Sequence, residues 1–217
     1  MALRRGLPLA LVLVLAACGG AGKGTGKQGT STDATGCITV DQPKPENRRE
    51  QKPSKPLDPA KTYRVVIRTN CGSFTIQLAV KTSPATTASF ASLVQKGYFD
   101  GTIFHRIVPG FVVQGGDPTA SGQGGPGYTT VDKPPAATRY TLGLVAMAKT
   151  QTEAPGTSGS QFFVVTAQDA QLPPDYAVLG EVKGGLAVVD RIGRLGDPST
   201  EQPTEVVEIE KATLDVS

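Results

Sequence analysis

The chain has 217 residues, 38% hydrophobic, 19% charged and 6% aromatic, enough for one sizeable core and short of two comfortable domains. Its 26 glycines and 17 prolines make it rich in turns, which argues against a helix bundle and for many short strands. One histidine and three cysteines leave little material for a zinc centre, and the formal charge of +3 divides unevenly along the chain. Residues 1–18 carry two arginines and no acid, residues 19–57 seven basic against four acidic groups, and residues 58–217 thirteen against fifteen. A basic leash on a slightly acidic body suggests no nucleic-acid surface.

The first element is a leader. Arg4 and Arg5 form a basic head, and Leu7 to Ala17 is an apolar run of signal-peptide length, too short to span a membrane. It ends in Leu15-Ala16-Ala17-Cys18 followed by two glycines, which resembles a bacterial lipobox. Residues 1–17 are therefore expected to be a lipoprotein signal peptide, with Cys18 lipidated and exported to the outer face of the cell membrane. An ordinary secretory signal followed by a chance cysteine is the alternative. Residues 18–57 read as a flexible tether. Gly19 to Gly36 has almost no large apolar side chain to offset its ordering entropy, and Asp41 to Pro59 is rich in proline and charge. Its lysines either lie on anionic headgroups or merely keep a spacer soluble. Cys37 and Cys71 remain as an even number in an oxidising compartment, as a disulfide candidate or as two thiols.

The body, residues 58–217, opens with two alternating runs, Tyr63–Arg68 and Gly72–Leu78, around a Thr69-Asn70-Cys71 turn, a hairpin pattern. A helix follows, with Ser83 at the N-cap, Pro84 in the first position and Gly97 just past the end; Phe90, Leu93 and Val94 form its apolar stripe. Further strands are predicted at Ile103–Ile107, Phe111–Gly115, Leu144–Ala148, Gln161–Val165, Val178–Val182 and Val206–Leu214, and a second helix at Leu186–Ile192. The fold expected is mainly β: an eight-stranded closed antiparallel barrel capped by two α-helices, because closure removes exposed sheet edges.

The chemistry is expected between Phe104 and Asp117. A strand, a Pro109-Gly110 turn and a strand place Arg106 near Val112 and Gln114, with Phe111 leading into the second strand. A lone surface arginine there would instead pair with Asp117 or Asp132. A Ser-His-Asp hydrolase would have to use His105, and no serine sits in a G-x-S-x-G frame. Gly122 to Gly127 satisfies G-x-G-x-x-G formally, yet Pro126 precedes its last glycine and no helix pattern follows, so it reads as a surface loop.

Over about Tyr63 to Val216 the sequence resembles the cyclophilin-type peptidyl-prolyl cis–trans isomerases. The resemblance rests on the Phe104–Asp117 block, Gly143–Ala148, Ser158–Phe163 and Leu179–Val182, in that order. The Gly-rich loop and the cysteine pair look like an exported actinobacterial branch. By resemblance, Arg106, Phe111 and Gln114 are the catalytic set: Arg106 donates hydrogen bonds to the twisted prolyl amide and Gln114 orients it. Phe111, Val112, Phe163 and Leu172 are implied to hold the proline ring. Ala148, Lys149 and Gln161 would line the neighbouring backbone groove, with His105 and Tyr176 completing the substrate-binding set. The resemblance implies no cofactor or metal, X-Pro polypeptide substrates and a monomer. Gln171 stands where many relatives carry a tryptophan that helps bind cyclosporin, so weak cyclosporin binding is expected. Tyr176 replaces a common histidine and Lys149 a common asparagine, and a tyrosine does not titrate near neutrality. These departures leave open a second reading, a module that holds Pro-containing segments with catalysis incidental.

Overall fold

The alternation in the first hairpin governs the sheet. In β1 (Tyr63–Thr69), Tyr63, Val65 and Ile67 are buried while Arg64 and Arg68 are exposed. In β2 (Gly72–Leu78), Phe74, Ile76 and Leu78 face the same interior. The structure is a computed structural model and describes residues 35–217; the leader, Cys18 and the first part of the tether lie outside the described residues.

Helix α1 (Pro84–Gln95) begins at Pro84 and ends before Gly97, whose φ of +68° is the left-handed conformation that glycine adopts freely. Ser83 occupies the N-cap, but its hydroxyl caps nothing. The free N–H of Thr86 is instead taken by the Asp132 carboxylate at 2.6 Å, a cap supplied from a distant loop.

The remaining elements are β3 (Thr102–Ile103), β4 (Arg106–Val108), β5 (Val112–Gly115), β6 (Thr130–Val131), β7 (Leu144–Met147), β8 (Thr157–Ser158), β9 (Phe162–Val165), β10 (Val178–Gly184), α2 (Leu186–Gly193) and β11 (Glu208–Val216). All ladders are antiparallel and run β3-β11-β1-β2-β10-β7-β9-β5-β4, with β6 and β8 as a separate pair.

The closed eight-stranded barrel is therefore corrected to a curled nine-stranded sheet. Its two edge strands, β3 and β4, come from one run that was expected to be a single strand. That run divides at Phe104-His105. Phe104 donates its N–H to Val207 at 2.9 Å, continuing the pairing with β11, whereas Ile107 donates to Glu201 at 2.8 Å and β4 pairs with β5. One segment serves both edges, so the ladder is interrupted there instead of closing. Inside the curl, Phe162 meets Phe90, Phe99 and Phe104 edge-on, with centroids 5.4, 6.0 and 5.9 Å apart.

The tether also needs correction. Residues 35–57 do not behave as a leash. Cys37 is joined to Cys71 by a disulfide, Ile38 and Asn70 exchange hydrogen bonds, and Glu46 and Glu50 donate their N–H groups to Pro118 and Pro126 at 2.9 Å. Arg48 reaches the carbonyls of Tyr98 and Asp100 at 2.6 and 2.8 Å. The segment has no core of its own, as its composition indicates. Its order comes from the disulfide, from the packing of Cys37 and Leu57 on the main core and from polar partners on the body, which composition does not reveal. Among the described residues no helix is long and apolar enough to cross a membrane.

Candidate active site

Four strands carry one row of side chains. Arg106 of β4 stands opposite Gln114 of β5, Gln114 opposite Phe163 of β9, and Phe163 opposite Ala146 of β7. Opposed residues in a ladder share a face, so a cation, an amide, an aromatic ring and a small residue follow one another across the sheet. The two-residue period sends Ile107, Val113, Val164 and Val145 to the other face, into the main core. Adjacent Phe162 and Phe163 divide in the same way, and β9 is buried on both faces.

Phe163 belongs to a second apolar cluster with Val112, Tyr140, Ala146 and Val165, against which Phe111, Ala148, Leu172 and Tyr176 pack partly exposed. Phe111 is set by the Pro109-Gly110 turn: its N–H donates to Val108 at 3.0 Å and its carbonyl accepts from Thr166 and Ala167 at 2.8 and 3.2 Å. A half-open apolar cluster beside a guanidinium and two amides can take a small ring and hydrogen-bond the chain on either side of it. Gln171 lies exposed beside Leu172 with φ +52°.

The polar side is a chain of contacts. Arg106 Nε donates to the Glu201 carboxylate at 2.7 Å and its Nη1 to Gln114 Oε1 at 3.4 Å. Gln114 Nε2 donates to Gln161 Oε1 at 3.0 Å, and Gln161 Nε2 to the Gly124 carbonyl at 3.0 Å. Arg106 pairs with neither Asp117 nor Asp132. Asp132 caps α1, and Asp117 is fully buried, accepting from Thr119 N at 2.7 Å and Gly124 N at 3.0 Å. Those bonds hold the Asp117 carboxyl below the usual carboxylate range despite burial, which acts the other way. A Cβ on Gly124 would stand 1.9 Å from Asp117 Oδ1, so the loop can press on the carboxylate only because that residue is glycine.

Two residues of this arrangement escaped sequence reasoning. Glu201 lies in the turn before β11, 95 positions from Arg106, and nothing local marks it. Tyr140 lies outside every predicted element, fully buried behind the cluster. Its hydroxyl donates to the Tyr176 carbonyl at 2.6 Å and accepts the Tyr176 N–H at 3.0 Å; burial pushes its pKa up to about 12, so it remains a donor. Tyr176 in turn stands edge-on to Phe163 at 5.4 Å, with the Lys149 ammonium 5.6 Å from its ring centre.

His105 lies outside the apolar cluster, next to Arg106 and Gln161. It sits beside Gly122, and both imidazole nitrogens are buried without a hydrogen-bond partner. Burial lowers its pKa from 6.5, against the pull of the Asp117 charge, so the folded protein favours the neutral ring. The unfolded chain then binds the extra proton first. The stability gained from a neutral His105 is complete above pH 6.5 and is lost as pH falls toward the folded pKa. Wild type is expected to lose Tm more steeply than His105→Gln between about pH 7 and pH 5, read by thermal unfolding; parallel curves would refute this.

Among the described residues no group of histidine, cysteine, aspartate and glutamate side chains could hold a metal ion. The sequence profile of the cyclophilin type peptidyl-prolyl cis-trans isomerases matches residues 64–214. Peptidyl-prolyl cis-trans isomerase-like 1 of Gibberella zeae is 39% identical over 157 residues, 70% of this chain and 95% of that protein. Peptidyl-prolyl cis-trans isomerase ppi1 of Schizosaccharomyces pombe is 37% identical over 152 residues, 68% of this chain and 96% of that protein. A crystal structure of a Cryptosporidium parvum cyclophilin type isomerase superposes with a TM-score of 0.65 at 29% identity, covering 71% of this chain and 98% of that one. A second structure of that protein, determined in the presence of the dipeptide Ala-Pro, superposes equally well, with a TM-score of 0.65.

Proposed function

The chain belongs to the cyclophilin-type peptidyl-prolyl cis–trans isomerases, and from its leader pattern we propose that it works outside the cytoplasm, tethered by lipid at Cys18, on X-Pro bonds of exported proteins. An X–Pro bond resists rotation by about 18–20 kcal/mol through amide resonance and isomerises unaided over roughly 10–100 s. Twisting the amide localises its lone pair on the prolyl nitrogen. A donor aimed there stabilises the twisted state more than either planar one, which is catalysis by differential binding.

Arg106 supplies that donor, because a guanidinium presents several N–H donors in a rigid, positively charged fork. Gln114 and Glu201 hold it, and neither uses the Nη2 donors. Phe111, Val112, Phe163 and Leu172 receive the proline ring, while Ala148, Lys149 and Gln161 border the adjoining chain. The observation that carries this reading is the row Arg106–Gln114–Phe163, which sets a fixed cation against an apolar cluster. The leader pattern and the Cys37–Cys71 disulfide support the extracytoplasmic setting.

NMR exchange spectroscopy on an Ala-Pro peptide with catalytic amounts of residues 35–217 tests the reaction. Accelerated exchange is expected, whereas peptide binding without acceleration would move the protein to a module that holds Pro-containing segments. Labelled palmitate incorporated by the full chain and lost in Cys18→Ala tests the anchor; equal labelling of both would remove it.

A further inference from the structure

Next to the prolyl cluster lies a groove of about 570 Å³ that the proposed reaction does not itself require. Ala148 at the edge of the cluster also lines the groove, as do Gln114 and Gln161 of the polar chain from Arg106, so an X-Pro segment seated at Arg106 continues into it on one flank. Its floor is the glycine loop Gly122 to Gly127, and its outer wall is Asn47, Arg48 and Arg49 of the N-terminal segment. That wall is built, not incidental: Glu46 and Glu50 fix its backbone to Pro118 and Pro126 at 2.9 Å, and the disulfide at Cys37 fixes its start.

The charges of the lining are one-sided. Arg48, Arg49 and Lys149 face a single acid, Glu153. The Glu153 carboxylate is taken by Thr150, whose N–H and hydroxyl donate to it at 2.6 and 2.9 Å. Arg48 is paired with Glu46 at 2.9 Å. Lys149 donates only to the carbonyls of Thr150 and Glu153, at 3.2 Å each. Arg49 is exposed and reaches across Gly127, where its Nη1 would lie 3.3 Å from an added Cβ. Among the described residues, no carboxylate is paired with either Arg49 or Lys149. The one buried carboxylate nearby, Asp117, is spent on the loop's own N–H groups.

We infer that the N-terminal segment makes this groove a specificity site for acidic residues flanking the proline, with Arg49 and Lys149 as the recognising cations. The inference rests on the isomerase reading of the adjoining cluster. A polypeptide with carboxylates beside the proline would meet two cations that line the groove and have no carboxylate partner among the described residues. A basic flank would meet repulsion from both.

The test compares two peptides with the same Ala-Pro core, one flanked by glutamates and one by lysines, at low salt and at about 0.5 M salt. The acidic peptide is expected to show a kcat/KM roughly three- to tenfold higher at low salt, a preference that closes in high salt, as solvent-exposed charge pairs do. Arg49→Glu should abolish or reverse the preference. Equal rates for the two peptides, or an unchanged preference in Arg49→Glu, would overturn the inference. Binding of the same peptides, followed by amide chemical shifts, separates it from the reaction. If neither peptide exchanges faster but the glutamate peptide still binds more tightly in an Arg49-dependent way, the groove stands and the isomerase reading falls.

Discussion

Arg106→Ala is expected to lower kcat/KM for an Ala-Pro peptide by about 10²–10³-fold, the loss typical of removing one donor aimed at developing charge. The change should fall mainly on kcat, because the apolar cluster proposed to hold the ring, Phe111, Val112, Phe163 and Leu172, is untouched. Little stability should be lost. The Arg106–Glu201 pair is at the surface, with side chains 34% and 46% exposed, and such pairs contribute on the order of 0–1 kcal/mol. Unchanged thermal unfolding together with collapsed exchange would assign the loss to chemistry; unchanged exchange would remove Arg106 from the mechanism. Glu201→Ala should cost less, roughly tenfold, by freeing the guanidinium to sample other rotamers. Glu201→Gln should recover part of that loss, since its amide oxygen still accepts from Nε. A merely structural Glu201 would lower stability and kcat together, with no rescue by glutamine.

The row that makes this prediction possible is legible in the sequence because it is local. Arg106, the Pro109-Gly110 turn and Gln114 lie within nine residues, and a two-residue period plus a short turn dictate that Arg106 and Gln114 oppose each other. Strand and helix positions are legible for the same reason: alternation in β1 and β2, and Pro84 and Gly97 bracketing α1, are short-range signals. Whatever depends on a partner far along the chain is not. Ser83 looks like a cap, yet the cap is Asp132, 46 residues from the Thr86 N–H it accepts. Arg106 looks free to pair with Asp117 or Asp132, yet both carboxylates are occupied and Glu201 arrives from the turn before β11. The barrel fails to close as expected because Phe104 is drawn into the core and splits one strand into two edges. Residues 35–57 read as a leash because composition registers the missing hydrophobic side chains and not the carbonyls of Tyr98, Asp100 and Thr129 that accept from Arg48 and Lys52.

That segment carries the second large effect. Replacing Cys37 and Cys71 by serine is expected to destabilise the folded body by about 3–4 kcal/mol, because the bridge closes a loop of 34 residues in the unfolded chain. For a body of this size the corresponding fall in Tm is roughly 10 °C. The loss has a local component as well. Both sulfur positions are buried in the main core, where a serine hydroxyl meets no water. Arg191 joins the two ends of the bridge by donating to the carbonyls of Gly36 and Cys71, at 3.3 and 2.9 Å, and Ile38 donates to Asn70 at 2.8 Å. Without the disulfide residues 35–40 are held by polar contacts such as these, with the Thr35 hydroxyl on Glu205 at 3.2 Å and Asn70 Nδ2 on the Ile38 carbonyl at 2.7 Å, so the start of the segment should exchange its amide hydrogens early while β1, β2 and β11 stay protected. Thermal unfolding and hydrogen exchange of the double variant read the two parts separately. A Tm within about 2 °C of wild type would mean that the loop entropy is not what the bridge supplies. Exchange against the Ala-Pro peptide should survive at temperatures where the variant remains folded, because no residue of the Arg106–Gln114–Phe163 row touches the bridge. The charge preference of the groove should weaken if the wall residues Asn47 to Arg49 loosen with it. A variant that loses Tm and retains that preference would show that Arg48 and the two backbone bonds to Pro118 and Pro126 hold the wall without help from the disulfide.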